Sequence, residues 1–174
     1  MAKKSAGILL FRKIQGQYEF LLVHPGGPFW AKKDAGAWSI PKGIYEDPED
    51  ALAAAKRELF QETGIAAEGE FLGLGSFKQP GGKTITAWAI ETDFDPANLV
   101  SNTFAMEWPP NSGKKAEFPE VDRACWLPAR EALVKITKGQ VPILSALAAK
   151  LGLHLSAAAE NSTSSDAKDR GSPR

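Results

Sequence analysis

The residues best placed to do chemistry are two glutamates one helical turn apart. Residues 43–65 read GIYEDPEDALAAAKRELFQETGI, and within them Glu58 and Glu62 lie four positions apart. Side chains at this spacing are neighbours on a helix, where like charges repel by roughly 0.2–0.5 kcal/mol. A bound cation would turn that repulsion into a ligand set, because Mg²⁺ prefers carboxylate oxygens combined with substrate phosphate and water. The pair alone favours the simpler interpretation of a solvated acidic face, as for most helix charges.

The spacing of the surrounding residues changes that balance, because it resembles the Nudix box. The fixed positions of that box correspond here to Gly43, Glu49, Arg57, Glu58, Glu62, Gly64 and Ile65. The chain departs from the box at Gln61, where the family has the first glutamate of a Glu-Glu pair. A match at many fixed gaps is far more specific than a lone glycine-rich loop. With the pattern in place, metal binding becomes the favoured interpretation.

The resemblance implies metal-dependent hydrolysis of a pyrophosphate bond in a nucleoside diphosphate linked to another group. The expected cofactor is Mg²⁺, with Mn²⁺ as an alternative. The oxygen ligands implied by the family are those of Glu58, Glu62, Gln61 and the carbonyl of Gly43. Arg57 is expected to orient a carboxylate, with Glu49 as its partner, although a surface ion pair of little value is the alternative. Gln61 brings no negative charge, so one metal position should bind more weakly or only with substrate present.

Many family members add a distal glutamate from the loop before a strand that ends in an aromatic residue. In the segment EFPEVDRACWL, Glu120 lies six residues before Trp126, which is the spacing expected from the family. Glu120 is therefore the first choice for a further catalytic residue, Glu117 the second and Glu107 the third. Each of them could instead be a solvated loop carboxylate. Family members differ in whether the first box glutamate or the distal one is the general base, so the choice between Glu58 and Glu120 stays open.

Local signals predict the helix that carries the box. Asp47 is a candidate N-cap and Pro48 suits the first helical position. Gly64 can adopt the left-handed conformation that ends a helix. Leu52, Ala55 and Leu59 would share one apolar face.

The remaining segments predict an α/β fold, and the Nudix fold that the resemblance implies is a mixed β-sheet sandwiched between α-helices. Strands are expected at 5–11, 18–24, 38–40, 70–78, 83–92 and 121–127, helices at 128–136 and 141–151, and an irregular loop at 98–117. We expect one domain over residues 1–155. Residues 156–174 lack apolar periodicity and are predicted to be a disordered tail.

Composition excludes several classes of protein. The chain has 174 residues, 43% of them hydrophobic, and its 21 acidic and 21 basic side chains give a net charge of zero. It therefore has no global attraction to nucleic acid or to an anionic membrane. The single Cys125 rules out an internal disulfide and suits the cytoplasm. With only His24 and His154 available, a zinc site built from His and Cys is implausible. The apolar run near the start ends at Arg12, too early for a signal peptide.

Substrate contacts are expected from aromatic and basic loop residues. Trp30 and Trp108 lie in predicted loops where a base could stack on them. Lys42, directly before the box glycine, and Lys83 could hold phosphates, although plain surface charge is the simpler interpretation for Lys83. Trp38, Trp88 and Trp126 lie in strand-like segments and are expected in the core.

The segment WSIPKG before the box resembles the MutT and diadenosine polyphosphate hydrolase branch. That resemblance favours a dinucleoside polyphosphate substrate, ahead of an oxidised nucleoside triphosphate or a nucleotide sugar. A nucleotide-binding domain without catalysis is the alternative from another class, because Gln61 could mark a loss of activity. The oligomeric state is not predicted.

Overall fold

The computed structural model describes residues 3–155, so the predicted tail at 156–174 lies outside the described residues. Its strands are β1 (Lys4–Ile14), β2 (Gln17–Pro25), β3 (Lys42–Tyr45), β4 (Leu72–Lys78), β5 (Thr84–Glu91), β6 (Thr103–Glu107), β7 (Lys115–Pro119) and β8 (Val121–Pro128). Its helices are α1 (Ala51–Thr63), α2 (Ala129–Lys135) and α3 (Val141–Lys150), with short 3₁₀ turns at Pro96–Asn98 and Lys138–Gln140.

Within the described residues, six strands form one mixed sheet in the order β4-β5-β1-β2-β8, with β3 also paired to β1. The first two strands are a hairpin in which Phe11 faces Phe20, and its turn places Gln15 and Gly16 at positive φ. β1 runs parallel to β5 and antiparallel to β2 and β3. The continuous apolar run in β1 is explained by this central place, since a strand covered on both faces has no solvent side.

Helices cover both faces of the sheet, which confirms the predicted sandwich. On one face, α1 packs Ala55 and Leu59 against Ile8 and Leu10 of β1. On the other face, Ile143 and Leu147 of α3 belong to a cluster with Leu9 and Phe11 of β1. The predicted core residues Trp38 and Trp126 are buried, and Trp88 is partly buried against the α1 cluster.

None of the helices within residues 3–155 combines the length and the apolar character that a membrane crossing requires.

The predicted irregular loop at 98–117 is wrong at 103–107 and 115–117, which form strands. β6 and β7 form an antiparallel hairpin, in which Phe104 faces Phe118 with ring centroids 6.1 Å apart. Every second residue of each strand is partly buried. The alternating pattern is difficult to recognise in the sequence, because Pro, Gly, Ser and Lys residues divide the segment into two very short strands.

The segment before the box also differs from the prediction. Trp38 and Ser39 make isolated bridges to Ile136 and Val23 rather than a strand, and the strand lies later, as β3. β3 reaches β1 because Gly7 has no side chain: a Cβ there would lie 2.8 Å from the carbonyl oxygen of Pro41. Gly43, the first residue of the box, is thereby placed inside a strand next to α1.

The helix cap is not Asp47. Asp50 caps α1, its side chain accepting a hydrogen bond from the Ala53 backbone N–H at 3.1 Å. Asp47 instead accepts from the ammonium of Lys4, at 3.0 Å, and Pro48 precedes the helix. The predicted end is confirmed, since Gly64 has φ +81° and its N–H donates to the carbonyl of Phe60. The helix α1 presents Glu58 and Glu62 towards β3.

Candidate functional site

Arg57 is the centre of the polar network on α1. Its Nε and Nη2 donate to the two carboxylate oxygens of Glu49, at 2.8 and 2.9 Å. Its Nη1 donates to Oε1 of Glu58 at 2.7 Å. The hydrogen bonds to Glu49 are the main reason why the pKa of Arg57 is raised, and they lower the pKa of Glu49. Arg57 thus holds Glu49 before the helix, as the sequence predicted, and also Glu58 on it.

Glu58 lies against the backbone of β3 at Gly43. A Cβ built on Gly43 would overlap the Glu58 carboxylate group, so no larger residue fits there while Glu58 keeps its position. The side chain of Glu58 is only 12% exposed. Gly43 therefore contributes space, and the carboxylate of Glu58 is fixed between this glycine and the guanidinium of Arg57.

Glu62 is held by the start of the same strand. Its Oε2 accepts a hydrogen bond from the backbone N–H of Lys42 at 3.1 Å. Burial is the main reason why the pKa of Glu62 is raised, to about 8; Lys42 opposes the shift, and the charges of Glu58 and Glu120 add to it. A buried carboxylate of this kind favours a proton or a bound cation as partner.

Glu120 is the distal glutamate that the structure brings to this site. It lies between β7 and β8, and burial together with the charge of Glu58 raises its pKa. Its backbone is fixed on both sides, because its N–H donates to Asn102 and its carbonyl accepts from Gly26. Glu117 is exposed on β7, and Glu107 is exposed at the end of β6 near the hairpin turn.

Gln61 takes part in the Arg57 network. Its Oε1 accepts from Nη1 of Arg57 at 3.2 Å, the same nitrogen that donates to Glu58. The amide oxygen therefore faces the carboxylates. A glutamate at this position would add one more negative charge beside Glu58 and Glu62.

The donor set fits a hard divalent cation in chemistry. Its groups are carboxylate, amide and carbonyl oxygens, which Mg²⁺ prefers. Within residues 3–155, no three Asp, Glu, His or Cys side chains converge at metal-binding distance, although the charges of Glu58 and Glu120 add to the raised pKa of Glu62, and that of Glu58 adds to the raised pKa of Glu120. Glu58 is bonded to Arg57, and Glu62 is bonded to the backbone N–H of Lys42. Cation binding would require small side-chain movements.

Exposed aromatic side chains lie in the loop between β2 and β3 and contact the β6–β7 hairpin. In the loop between β2 and β3, Phe29 is 60% and Trp30 is 41% exposed. The Phe29 ring packs edge-to-face on Trp108 with centroids 5.6 Å apart, and the ammonium of Lys33 lies 4.8 Å from the ring centroid of Trp30. We call Phe29, Trp30 and Trp108 the aromatic surface. Trp108 therefore contacts Phe29, the sequence neighbour of Trp30, and the role predicted for the two tryptophans stays a prediction.

The two predicted phosphate-binding lysines are separated. Lys42 begins β3 beside the carboxylates, whereas Lys83 lies in the turn before β5, and β1 separates β5 from β3. Next to that turn is an open cleft of about 400 Å³. The cleft is lined by Lys3, Lys4, Tyr45, Thr84 and Thr86. It borders β3 at Tyr45, two residues after Gly43, so a long ligand at the carboxylates could reach it.

A mixed sheet between helices, with an Arg-Glu network on the first helix facing a strand glycine, defines the class of protein to which the chain belongs. The family model described as NUDIX domain matches residues 1–147. The chain is therefore a member of the NUDIX domain family.

Individual relatives resemble shorter parts of the sequence. The chain is 37% identical over 68 residues to the asymmetrical bis(5'-nucleosyl)-tetraphosphatase of Caenorhabditis elegans, covering 39% of this chain and 45% of that protein. It is 59% identical over 32 residues to the RNA pyrophosphohydrolase of Dinoroseobacter shibae, covering 18% of this chain and 20% of that protein. The chain thus spans less than half the length of these curated relatives.

Solved structures match over more of the chain. A C. elegans Ap4A hydrolase binary complex superimposes with a TM-score of 0.62 at 21% identity, covering 85% of this chain and 98% of that one. At this identity the likeness shows the shared fold.

Proposed function

We propose that this protein is a divalent-metal-dependent pyrophosphohydrolase whose reaction takes place at Glu58, Glu62 and Glu120. The observation that carries the proposal is the fixed geometry of Glu58, which Arg57 binds at 2.7 Å and for which Gly43 leaves space. A surface ion pair has no need of a glycine cradle. Membership of the NUDIX domain family supports the same chemistry.

The proposed cofactor is Mg²⁺, with Mn²⁺ as a substitute, held by Glu58, Glu62, Gln61 and the carbonyl of Gly43. When bound, such an ion neutralises phosphate charge and lowers the pKa of a bound water. Arg57 orients Glu58, and its bidentate bond to Glu49 fixes the plane of the guanidinium. Glu120, whose pKa is raised, is the proposed acceptor of the proton of the attacking water, since a general base works best with a pKa near the working pH.

The proposed substrate is a dinucleoside polyphosphate. The aromatic surface offers rings on which one base could stack, and the lysine-lined cleft beside Tyr45 offers polar contacts for the rest of the substrate. A substrate with two nucleosides joined by phosphates can use both, whereas a nucleoside triphosphate needs only one. The similarity to the C. elegans tetraphosphatase supports this choice.

The test is a turnover screen with diadenosine polyphosphates, nucleoside triphosphates, ADP-ribose, nucleotide sugars and 5'-triphosphorylated RNA, with Mg²⁺ and then Mn²⁺. Glu58→Gln should abolish metal-dependent turnover, because it removes a charged ligand of the proposed cation; Glu120→Gln should lower kcat by about 10²–10⁴-fold, the usual contribution of a positioned acid-base group. Glu117→Gln is the matched control, since Glu117 is exposed on β7. Loss of activity in both Glu58→Gln and Glu117→Gln, or in neither, would contradict the assignment of Glu58. Nucleotide binding without turnover of any substrate would identify a binding domain instead.

A further inference from the structure

His24, near the end of β2, is a buried ionisable residue with no part in the proposed chemistry. Its side chain is 0% exposed. Nδ1 lies 2.8 Å from Oδ1 of Asp122, and Nε2 lies 2.7 Å from the backbone carbonyl oxygen of Lys33. The ring packs edge-to-face on Trp38 with centroids 5.2 Å apart. Both ring nitrogens therefore have close partners, and the orientation of the ring is fixed.

Both partners of His24 are hydrogen-bond acceptors. A backbone carbonyl has no hydrogen to donate, so Nε2 donates to Lys33. Nδ1 and the Asp122 carboxylate form the second hydrogen bond. The other charged group at the pair is Arg123, whose Nε lies 3.5 Å from the same Asp122 oxygen. The ammonium of Lys33 lies over Trp30 instead.

The two acceptors belong to two different segments of the site. Lys33 lies in the loop between β2 and β3, three residues after Trp30 of the aromatic surface. Asp122 lies two residues after Glu120, where the pairing of β2 with β8 is interrupted by a register shift next to His24. The Gly26 N–H adds a second link from the end of β2 to the carbonyl of Glu120, at 2.9 Å.

We propose that His24 is a positioning residue. Through Nε2 it fixes the loop between β2 and β3, which carries Trp30 of the aromatic surface, and through Nδ1 it fixes the segment that carries Glu120. Each ring nitrogen then has a separable effect: Nε2 on the binding of substrate and Nδ1 on the proton-accepting group. We call these two bonds of His24 the clamp. The expected effects on turnover rest on the proposed function, whereas the existence of the clamp does not.

Two substitutions separate the two bonds. His24→Asn places its amide N–H₂ near the position of Nδ1, so it keeps the bond to Asp122 and loses the bond to Lys33. His24→Gln places its amide near the position of Nε2, so it keeps Lys33 and loses Asp122. Losing a hydrogen bond to a charged or buried group should change the affected parameter about tenfold. We expect a raised KM with unchanged kcat in His24→Asn, and a lowered kcat with unchanged KM in His24→Gln.

Hydrogen exchange followed by mass spectrometry tests the clamp without any substrate. His24→Asn should speed amide exchange in residues 27–34, and His24→Gln should speed it in residues 119–123. The control is His154→Gln, because His154 is exposed and is the other histidine of the chain. Should neither variant fold, Asp122→Asn changes only the partly exposed partner of Nδ1, and it should speed exchange in 119–123 alone.

The outcomes separate the clamp from the proposed function. Faster exchange in the expected segment, with the expected split between KM and kcat, supports the clamp. Equal changes in both segments, or in kcat and KM together, would reduce His24 to an ordinary core residue and overturn the proposal. If the expected exchange pattern appears but no substrate is turned over, the clamp is supported and the proposed hydrolase function is contradicted.

Discussion

Replacing Glu62 by glutamine should stabilise the metal-free protein at alkaline pH. The pKa of Glu62 is raised from 4.5 to about 8, mainly by burial. Between these values the folded protein holds a proton that the unfolded chain has released, so the free energy of unfolding falls as pH rises. The stabilising contribution is fully present below pH 4.5 and is lost as pH rises through 8.

The size of the effect follows from the same two values. Each pKa unit corresponds to about 1.4 kcal/mol, and the shift is about 8 − 4.5 = 3.5 units, so roughly 5 kcal/mol is the upper limit. Water entry and side-chain movement reduce this figure, and we expect about 2–3 kcal/mol between pH 5 and 9. The glutamine of the Glu62→Gln variant has no charge to bury and can still accept from the Lys42 N–H. The fall of the unfolding free energy with rising pH should therefore be smaller in the variant by this amount.

The assay is urea unfolding between pH 5 and 9 in the presence of a chelator. Wild type, Glu62→Gln and the control Glu117→Gln are compared at each pH. Mg²⁺ added at pH 8 should restore stability to wild type and control but not to Glu62→Gln, because a cation replaces the proton on Glu62. Parallel pH profiles for wild type and Glu62→Gln would refute the buried, proton-holding state of this carboxylate.

Three further substitutions test single contacts. Gly43→Ala should displace the Glu58 carboxylate, whose place the new Cβ would take, and lower kcat/KM about 10²-fold; unchanged kinetics would contradict the cradle. Gln61→Glu should lower the half-saturating Mg²⁺ concentration in the activity assay about tenfold, since one added charge supplies at least about 1.4 kcal/mol; an equal or higher requirement would place Gln61 outside the metal site. Asp50→Ala removes the cap bond to Ala53 and should lower the free energy of unfolding by about 1 kcal/mol in denaturant, whereas Asp47→Ala, at the residue first predicted as the cap, should change it by less.

The parts of the site that the sequence predicts best are those fixed by spacing along one helix. Glu58 and Glu62 need only a helix to become neighbours, and Gly64 marks where that helix ends. The partnership of Arg57 with Glu49 follows from the box and is confirmed by the bidentate bond. The pattern of apolar residues likewise predicted the long strands, because this pattern can be recognised without knowing which strands pair.

The parts that were missed depend on contacts distant in sequence. The cap of α1 was placed at Asp47, but Lys4, 43 residues earlier, takes that carboxylate. The β6–β7 hairpin is formed by two five-residue strands whose partly buried aromatic residues, Phe104 and Phe118, pack on each other, and such short strands have little signal of their own. His24 carried no motif at all: its two partners lie 9 and 98 residues away. Its place before the Gly/Pro-rich loop was the available hint.

The charge balance of the site offers a physical reason for a glutamine at position 61. Four carboxylates, those of Glu49, Glu58, Glu62 and Glu120, belong to the site, and the guanidinium of Arg57 binds only Glu49 and Glu58. Burial is the main cause of the raised pKa of Glu62 and of Glu120, and the charge of Glu58 adds to both shifts. A fifth carboxylate at position 61 would add to this repulsion in the metal-free protein. Glutamine keeps an oxygen towards the site while Arg57 satisfies it. We therefore expect the Gln61→Glu variant to bind the proposed cation more tightly and to be less stable without it.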